Sequence, residues 1–398
     1  MALKLKTHYP SLITHNLSER CNMKQEMSEN AQLALDTIHQ KSTKGVPTWL
    51  IHVMQHEYIE RLAGVKSGEY KNNPEETYLA YLHNVGVCSL DQYIPTNPLV
   101  MGNKGYEGTE RGATTGAEKI ILNDITIDSP EAVVEHIERF VLPSIQSQIA
   151  GFNEDHQVKA ILDGEAYLQD KIGHTILKTG YGFVAFPCFR YFSYGYENYL
   201  MAYTLYPEVM EKDFSLQADL TLLYNRAAAR AYVEGELPPV YRLDHDIADS
   251  RGTLVNIKSL DKIWFPHFAR CLEPMLKTNV RMIWHCDGNL MEMVPRLLEV
   301  GIRGFQGFQY ECGMDYKKIC QMKTKDGDDL FIIGGVSVTR TLPMGKPKDI
   351  KAELKFLVEN GPKTGLFLAG TSSITPGVPW ENIQTFVEGL KYYRTHGR

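Results

Sequence analysis

Two short runs of this chain concentrate side chains that can move protons or hold a cation. The first is His285-Cys286-Asp287-Gly288. On an extended backbone alternate side chains share a face, so His285 and Asp287 point together and Cys286 points away. An imidazole beside a carboxylate serves either as a pair of metal ligands or as a proton-transfer pair. The second run is Tyr241-Arg242-Leu243-Asp244-His245-Asp246. There Asp244 and Asp246 share a face, and paired acids split into an acid and a base or collect a cation. A structural alternative stands beside each reading: a histidine merely hydrogen-bonded to a carboxylate, or an acid engaged by Arg242 or Arg251. Glu311 and Cys312 add oxygen and sulfur donors, which zinc accepts alongside imidazole. The candidate metal ligands are therefore His285, Asp287, Glu311 and Cys312.

Two further stretches bear on ligand binding. Gly370-Thr371-Ser372-Ser373 offers hydroxyls and backbone N–H groups, which bind an anion or cap a helix. Between Tyr181 and Tyr206 aromatic residues are dense, and Pro187 and Gly195 interrupt them. Phe189 and Tyr191 are the candidate lining of a substrate cavity there, with ordinary core packing as the alternative.

These residues need elements to position them. In the second half, short apolar runs at 280–284, 302–308, 330–333 and 365–369 alternate with helical spacing at 290–300, 315–322, 348–359 and 380–393. Glycines stop several of the helices. Earlier strand candidates fall at 85–90, 159–162, 183–186 and 239–243. Eight strands alternating with helices predict a (β/α)8 TIM barrel, with a doubly wound sheet as the competitor. In a barrel the segments after each strand converge on one face, which turns scattered motifs into one site. Residues 1–45 read as an N-terminal helical lead-in, with a helix near 29–40. Residues 46–398 read as a single (β/α)8 barrel catalytic domain, and 102–115 as a long loop.

Composition narrows the classes. Among 398 residues, 43% are hydrophobic and the formal net charge is -6, with no long basic run. Nucleic acid and anionic membrane are therefore not expected partners. The cysteines number seven, an odd count without a CxxC pair, which fits reduced thiols and a cytoplasmic address. No signal peptide is read at the start, and no run reaches the length of a membrane span.

From about Asp246 onward the motifs resemble the superfamily of uroporphyrinogen decarboxylases and corrinoid-dependent methyltransferases. The similar residues are His285-Cys286-Asp287-Gly288-Asn289, Pro295-x-Leu297-Leu298, Gly301, Gly313-Met314-Asp315, Gly334-Gly335, Pro343-Met344-Gly345 and Pro379-Trp380-Glu381-Asn382. The stretch 246–254 resembles the superfamily's acidic strand end. The resemblance implies the uroporphyrinogen decarboxylase-like barrel and places that family's essential aspartate at Asp91. It also exposes departures. Pro47-Thr48-Trp49 is present, but the positions of two substrate-gripping arginines read His52 and His56. Neutral imidazole does not replace a bidentate guanidinium on a polycarboxylate. The zinc ligands of the thiol-activating methyltransferases fall here on His285, Asp287 and Ser372, so that site is not carried over intact.

The resemblance implies a methyltransferase that moves a methyl group from a small methylated donor, such as an aryl methyl ether or methylamine, to a corrinoid protein. Zinc is the implied metal cofactor. The corrinoid is expected on a partner protein, since nothing in the chain resembles a cobalamin-binding domain. A homodimer is left open. Asp246, His285, Asp287 and Asp91 are the candidate catalytic residues; His52, Phe189, Tyr191 and Ser372 are the candidate substrate contacts. The alternatives are a decarboxylase of a non-porphyrin substrate, a metal-dependent lyase or hydrolase on the same barrel, and a silent barrel that binds a partner. From His52 and His56 we predict that the purified protein does not convert uroporphyrinogen to coproporphyrinogen. Product chromatography checks this, and turnover at an enzyme-like rate would refute it.

Overall fold

The computed structural model describes residues 27–96, 101–102, 105–106 and 119–397. Eight parallel segments among them close into a ring. They are β1 (48–49), β2 (Ser89–Leu90), β3 (Leu177–Lys178), β4 (Val240–Asp244), β5 (Arg281–His285), β6 (Gly304–Gln306), β7 (Phe331–Val336) and β8 (Leu366–Gly370). β4 through β8 form one continuous ladder in chain order. Its register sets Asp244 beside His285 and His285 beside Gln306.

β2 pairs with β3, and single bridges join the remaining neighbours. Thr48 bridges to Leu368 of β8, Trp49 to Ser89 of β2, and Gly180, just past β3, to Tyr241 of β4. Backbone bonds follow the same path: Trp49 N–H to the Leu368 carbonyl at 2.9 Å, Cys88 N–H to that of Thr48 at 2.8 Å, and Thr179 N–H to that of Leu90 at 2.9 Å. A doubly wound sheet would leave two open edges. This one leaves none, so the fold is the α/β barrel.

Barrel strands are covered on both sides, which favours unbroken apolar runs. β7 reads Phe-Ile-Ile-Gly-Gly-Val and is buried throughout. The helices outside show the matching stripe. Phe265–Lys277 buries Phe265, Phe268, Cys271, Leu272 and Met275, the spacing of one helical face. The lead-in helix is Glu29–Ile38, where Ser28 Oγ accepts the Ala31 N–H as an N-cap. No helix among the described residues is long and apolar enough to cross a membrane.

Two strand expectations are corrected. Residues 159–162 lie inside the helix Glu154–Ile172, whose buried Val158, Ile161 and Glu165 recur at helical spacing. Residues 183–186 are irregular because side chains take their backbone donors. Phe183 and Val184 N–H donate to Tyr241 Oη, and Ala185 N–H donates to Asn225 Oδ1. β1 and β3 fill the vacated places in the ring, so the expected number of strands stands although two of the segments differ. Of the expected 102–115 loop, residues 101–102 pair with 105–106 in a hairpin. Residues 103–104 and 107–115 lie outside the described residues.

One close approach fixes the register between β6 and β7. A Cβ on Gly304 would lie 2.0 Å from the Phe331 carbonyl oxygen and 2.8 Å from Ile283 Cγ2. Backbone cannot yield there without parting the ladder. We predict that Gly304→Ala costs more than ~3 kcal/mol, beyond ordinary overpacking, and lowers Tm by at least ~5 °C. Thermal denaturation followed by circular dichroism checks this; an unchanged Tm would refute it.

Candidate functional site

β4 and β5 end side by side at the C-terminal mouth of the barrel, where active sites of this architecture lie. His285 is the last residue of β5. Asp246 and Asp287 each follow their strand by two residues, so both keep the face of the residue two before. Each of the three offers a donor atom, and these atoms all lie within 4.8 Å of one another. The Asp287 N–H donates to Asp246 Oδ1 at 2.8 Å, which ties the two strand ends together. His285 is held from the other side by Gly307, whose φ is +89°. A Cβ there would sit 2.7 Å from His285 Nδ1, so only glycine lets the ring occupy this position.

The electrostatics are acidic. Arg242 is the buried cation of the mouth: its Nε donates to Asp91 Oδ2 at 2.6 Å and its Nη1 to Asp244 Oδ2 at 2.8 Å. Among the described residues no lysine or arginine pairs with Asp246 or Asp287. Burial pushes the Asp287 carboxyl above the usual carboxylate range; Asp246 and Asp244 push the same way, against His285. For Asp244 burial also pushes up, but His285 and Arg242 outweigh it and hold the group low. Its side chain keeps 33% of its surface open, so solvent moderates that shift. Asp287 Oδ2 accepts from Ser372 Oγ at 3.4 Å, while Oδ1 is buried with no hydrogen-bond partner. A crowded carboxylate with an unpartnered oxygen, beside an imidazole and a second carboxylate, is an N/O donor set that suits a divalent cation such as zinc. The residues fit the metal.

The other expected ligands are elsewhere. β6 ends at Gln306, and Gly307 turns the chain, so Glu311 and Cys312 sit in the short 3-10 turn Tyr310–Cys312 and not at a strand end. Exposed Glu311 accepts the hydroxyls of Thr339 and Ser337. The Cys312 thiol donates to Gln309 Oε1 at 3.5 Å. The structure brings Asp246 to the cluster where sequence spacing suggested these two. Cys286 is buried, and that burial holds its thiol protonated well above the ordinary range.

Asp91 is buried against Arg242. His52 has Nδ1 3.2 Å from Ser373 Oγ and Nε2 buried without a partner. Tyr191 donates to the Asp246 carbonyl and stacks on Tyr196 and His245, so it supports the cluster from behind. Phe189 packs against Tyr203, Phe214 and Trp264 in the core and is not among the residues lining the large cavity beside β4. Tyr181, Phe186, Phe192 and Tyr194, from the same segment, do line one, of about 840 Å³. Sequence reasoning also passed over Gln306. Gln306 Oε1 is buried and unpartnered beside His285; its place at the end of an apolar run was the signal.

Residues 190–393 match the family model for uroporphyrinogen decarboxylase (URO-D). The chain belongs to this family. The matched span holds Asp246, His285, Asp287 and Ser372, and starts after His52 and Asp91. Among solved structures, a methyltransferase from Methanosarcina mazei is similar at 18% identity with a TM-score of 0.53, over 92% of this chain and 99% of that one. At that identity the likeness speaks for the fold. No curated protein matches the chain.

Burial holds the His52 imidazole down to about 4; nearby Asp91 opposes this and Arg242 adds to it. Burial does the same to His245, also to about 4, against Asp244. Both stay neutral in the folded protein at pH 5, while the unfolded chain protonates them near the ordinary 6.5. The unfolded state therefore binds more protons between about pH 4 and 6.5, and stability falls as pH drops through that window. We predict that His52→Gln flattens this fall by one proton's worth, roughly 1.4 kcal/mol per pH unit. Denaturant titrations from pH 7 to 4.5 check this, and equal slopes would contradict it.

Proposed function

We propose that this chain moves a methyl group from a small methylated donor to the cobalt of a corrinoid carried by a separate protein. The observation that carries the reading is the convergence of Asp246, His285 and Asp287 at the barrel mouth, with an unpartnered carboxylate oxygen among them. Methyl transfer breaks the bond from carbon to the donor's oxygen or nitrogen, and the electron pair stays on that leaving atom. The pair for the new bond comes from the reduced cobalt. The leaving atom needs a proton or a Lewis acid. Asp246, His285 and Asp287 would hold the zinc, which would supply the Lewis acid. Where no metal is held, Asp287, pushed above the usual carboxylate range, is instead the side chain placed to hold a proton. Asp246 positions it through the Asp287 N–H, and Ser372 through Oδ2.

His52 and Ser373 would contact the methoxy or amine end of the donor. The corrinoid protein would dock over the mouth, and residues 46–398 would act as one catalytic domain. Six described cysteines are free, which fits work in a reducing cytoplasm. The decarboxylase alternative relies on Asp91, and Arg242 already engages that carboxylate.

Protein purified without chelators should contain up to one zinc per chain by elemental analysis. His285→Ala should lose the zinc and lower methyl transfer to a corrinoid acceptor by roughly 10²-fold or more, with an unchanged circular dichroism spectrum. A metal-free, zinc-indifferent protein removes the Lewis-acid role. A fully active His285→Ala removes the site.

A further inference from the structure

The 840 Å³ cavity does not contain the cluster; it lies beside it, on the flank of β4. We propose that it holds the body of the methyl donor, and that the donor is a neutral aromatic methyl ether rather than a methylamine. This rests on the methyltransferase reading above.

Size is the first argument. Pockets for drug-sized ligands run to roughly 300–1,000 Å³. Trimethylamine, at roughly 30 Å³ for each water-sized group, fills only about 120 Å³. A bicyclic or substituted aromatic ether fits the space much better.

Lining is the second. Rings from Phe140, Tyr181, Phe186, Phe192, Tyr194 and Tyr241 surround the cavity, with Leu220 and Ile145 filling between. Ring edges and faces of this kind favour another aromatic ring.

Charge is the third, and it separates the two donor classes. Lys119, Arg190 and Arg242 line the cavity, and Asp244 is the carboxylate among its described lining residues. Arg190 is held by Asp213 through two bonds of 2.7 and 2.8 Å, and Asp244 is held by Arg242. A cationic amine would find three cationic side chains and no uncommitted acid on these walls, whereas a neutral ether brings no charge for them to repel.

Position is the fourth. Asp244, the last residue of β4, lines the cavity together with Tyr181, whose Oη donates to Asp244 Oδ2 at 3.4 Å. Asp244 is the register partner of His285. A ring seated in the cavity therefore directs its methoxy end toward the cluster, while the metal-binding donors stay outside the ring's contact surface.

The test uses the full chain and two probes, 2-methoxynaphthalene followed by its own fluorescence and trimethylammonium followed by calorimetry. The ether should bind, trimethylammonium should not, and Leu220→Trp should weaken ether binding at least tenfold while leaving any bound zinc in place. Should Leu220→Trp fail to fold, Ile145→Phe fills the opposite wall and should weaken binding in the same sense. No ether binding, binding unchanged by either filled cavity, or tighter binding of trimethylammonium overturns the proposal. Ether binding without methyl transfer leaves the cavity assignment standing and removes the methyltransferase reading. Transfer from trimethylamine without ether binding does the reverse.

Discussion

Four carboxylates crowd one end of this barrel, and a single buried guanidinium answers two of them. Taking an acid out of water is costly unless a cation or hydrogen bonds replace the lost solvation. Arg242 does this for Asp91 and Asp244, reaching between the end of β2 and the end of β4. That bridge sits on the arc where single backbone bridges take over from the continuous ladder, so it ties strand ends as well as charges. Asp246 and Asp287 are left with an imidazole, one backbone N–H and a serine hydroxyl. The imbalance makes the mouth a place for a cation or a proton, and the geometry of the strand ends follows from holding those acids together.

The glycines around the cluster serve the same end. At Gly307 the chain turns in a conformation few side chains adopt, and the missing Cβ is where His285 lies. Placing an imidazole against backbone fixes it more firmly than packing it against a flexible side chain, as a preorganised site requires. Tyr191 and His245 brace the same strand ends from the helix side, with His245 accepting the Phe189 N–H.

Much of this was legible in the residues. Period-two alternation put His285 and Asp287 on one face, and Asp244 with Asp246 on another, and all four open on the same mouth. The apolar runs of β4 to β8 were clear because strands buried on both sides have little sequence freedom. β1 and β3 were not, because two-residue strands carry no periodicity. Glu311 and Cys312 misled because the last residue of β6 is set by Gly307's left-handed turn, which the run 302–308 does not reveal by itself. The aromatic segment supplies rings to the cavity wall, but not the two expected, because which rings face a cavity depends on tertiary packing: Phe189 went to the core, Tyr191 to the Asp246 carbonyl and Phe192 to the cavity wall.

The uneven rungs of the ring have a mechanical meaning. From β4 to β8 neighbours share three to five aligned pairs, whereas β1, β2 and β3 are stitched by one or two. The circle therefore has a stiff arc and a seam. Fewer backbone bonds must part for the seam to open than for the arc. Asp246, His285 and Asp287 stand on the stiff side, while Asp91 and His52 stand on the seam. Parting the seam would break fewer backbone pairs than parting the arc and would leave the strand ends that carry the cluster paired, like a jaw hinged against a fixed anvil.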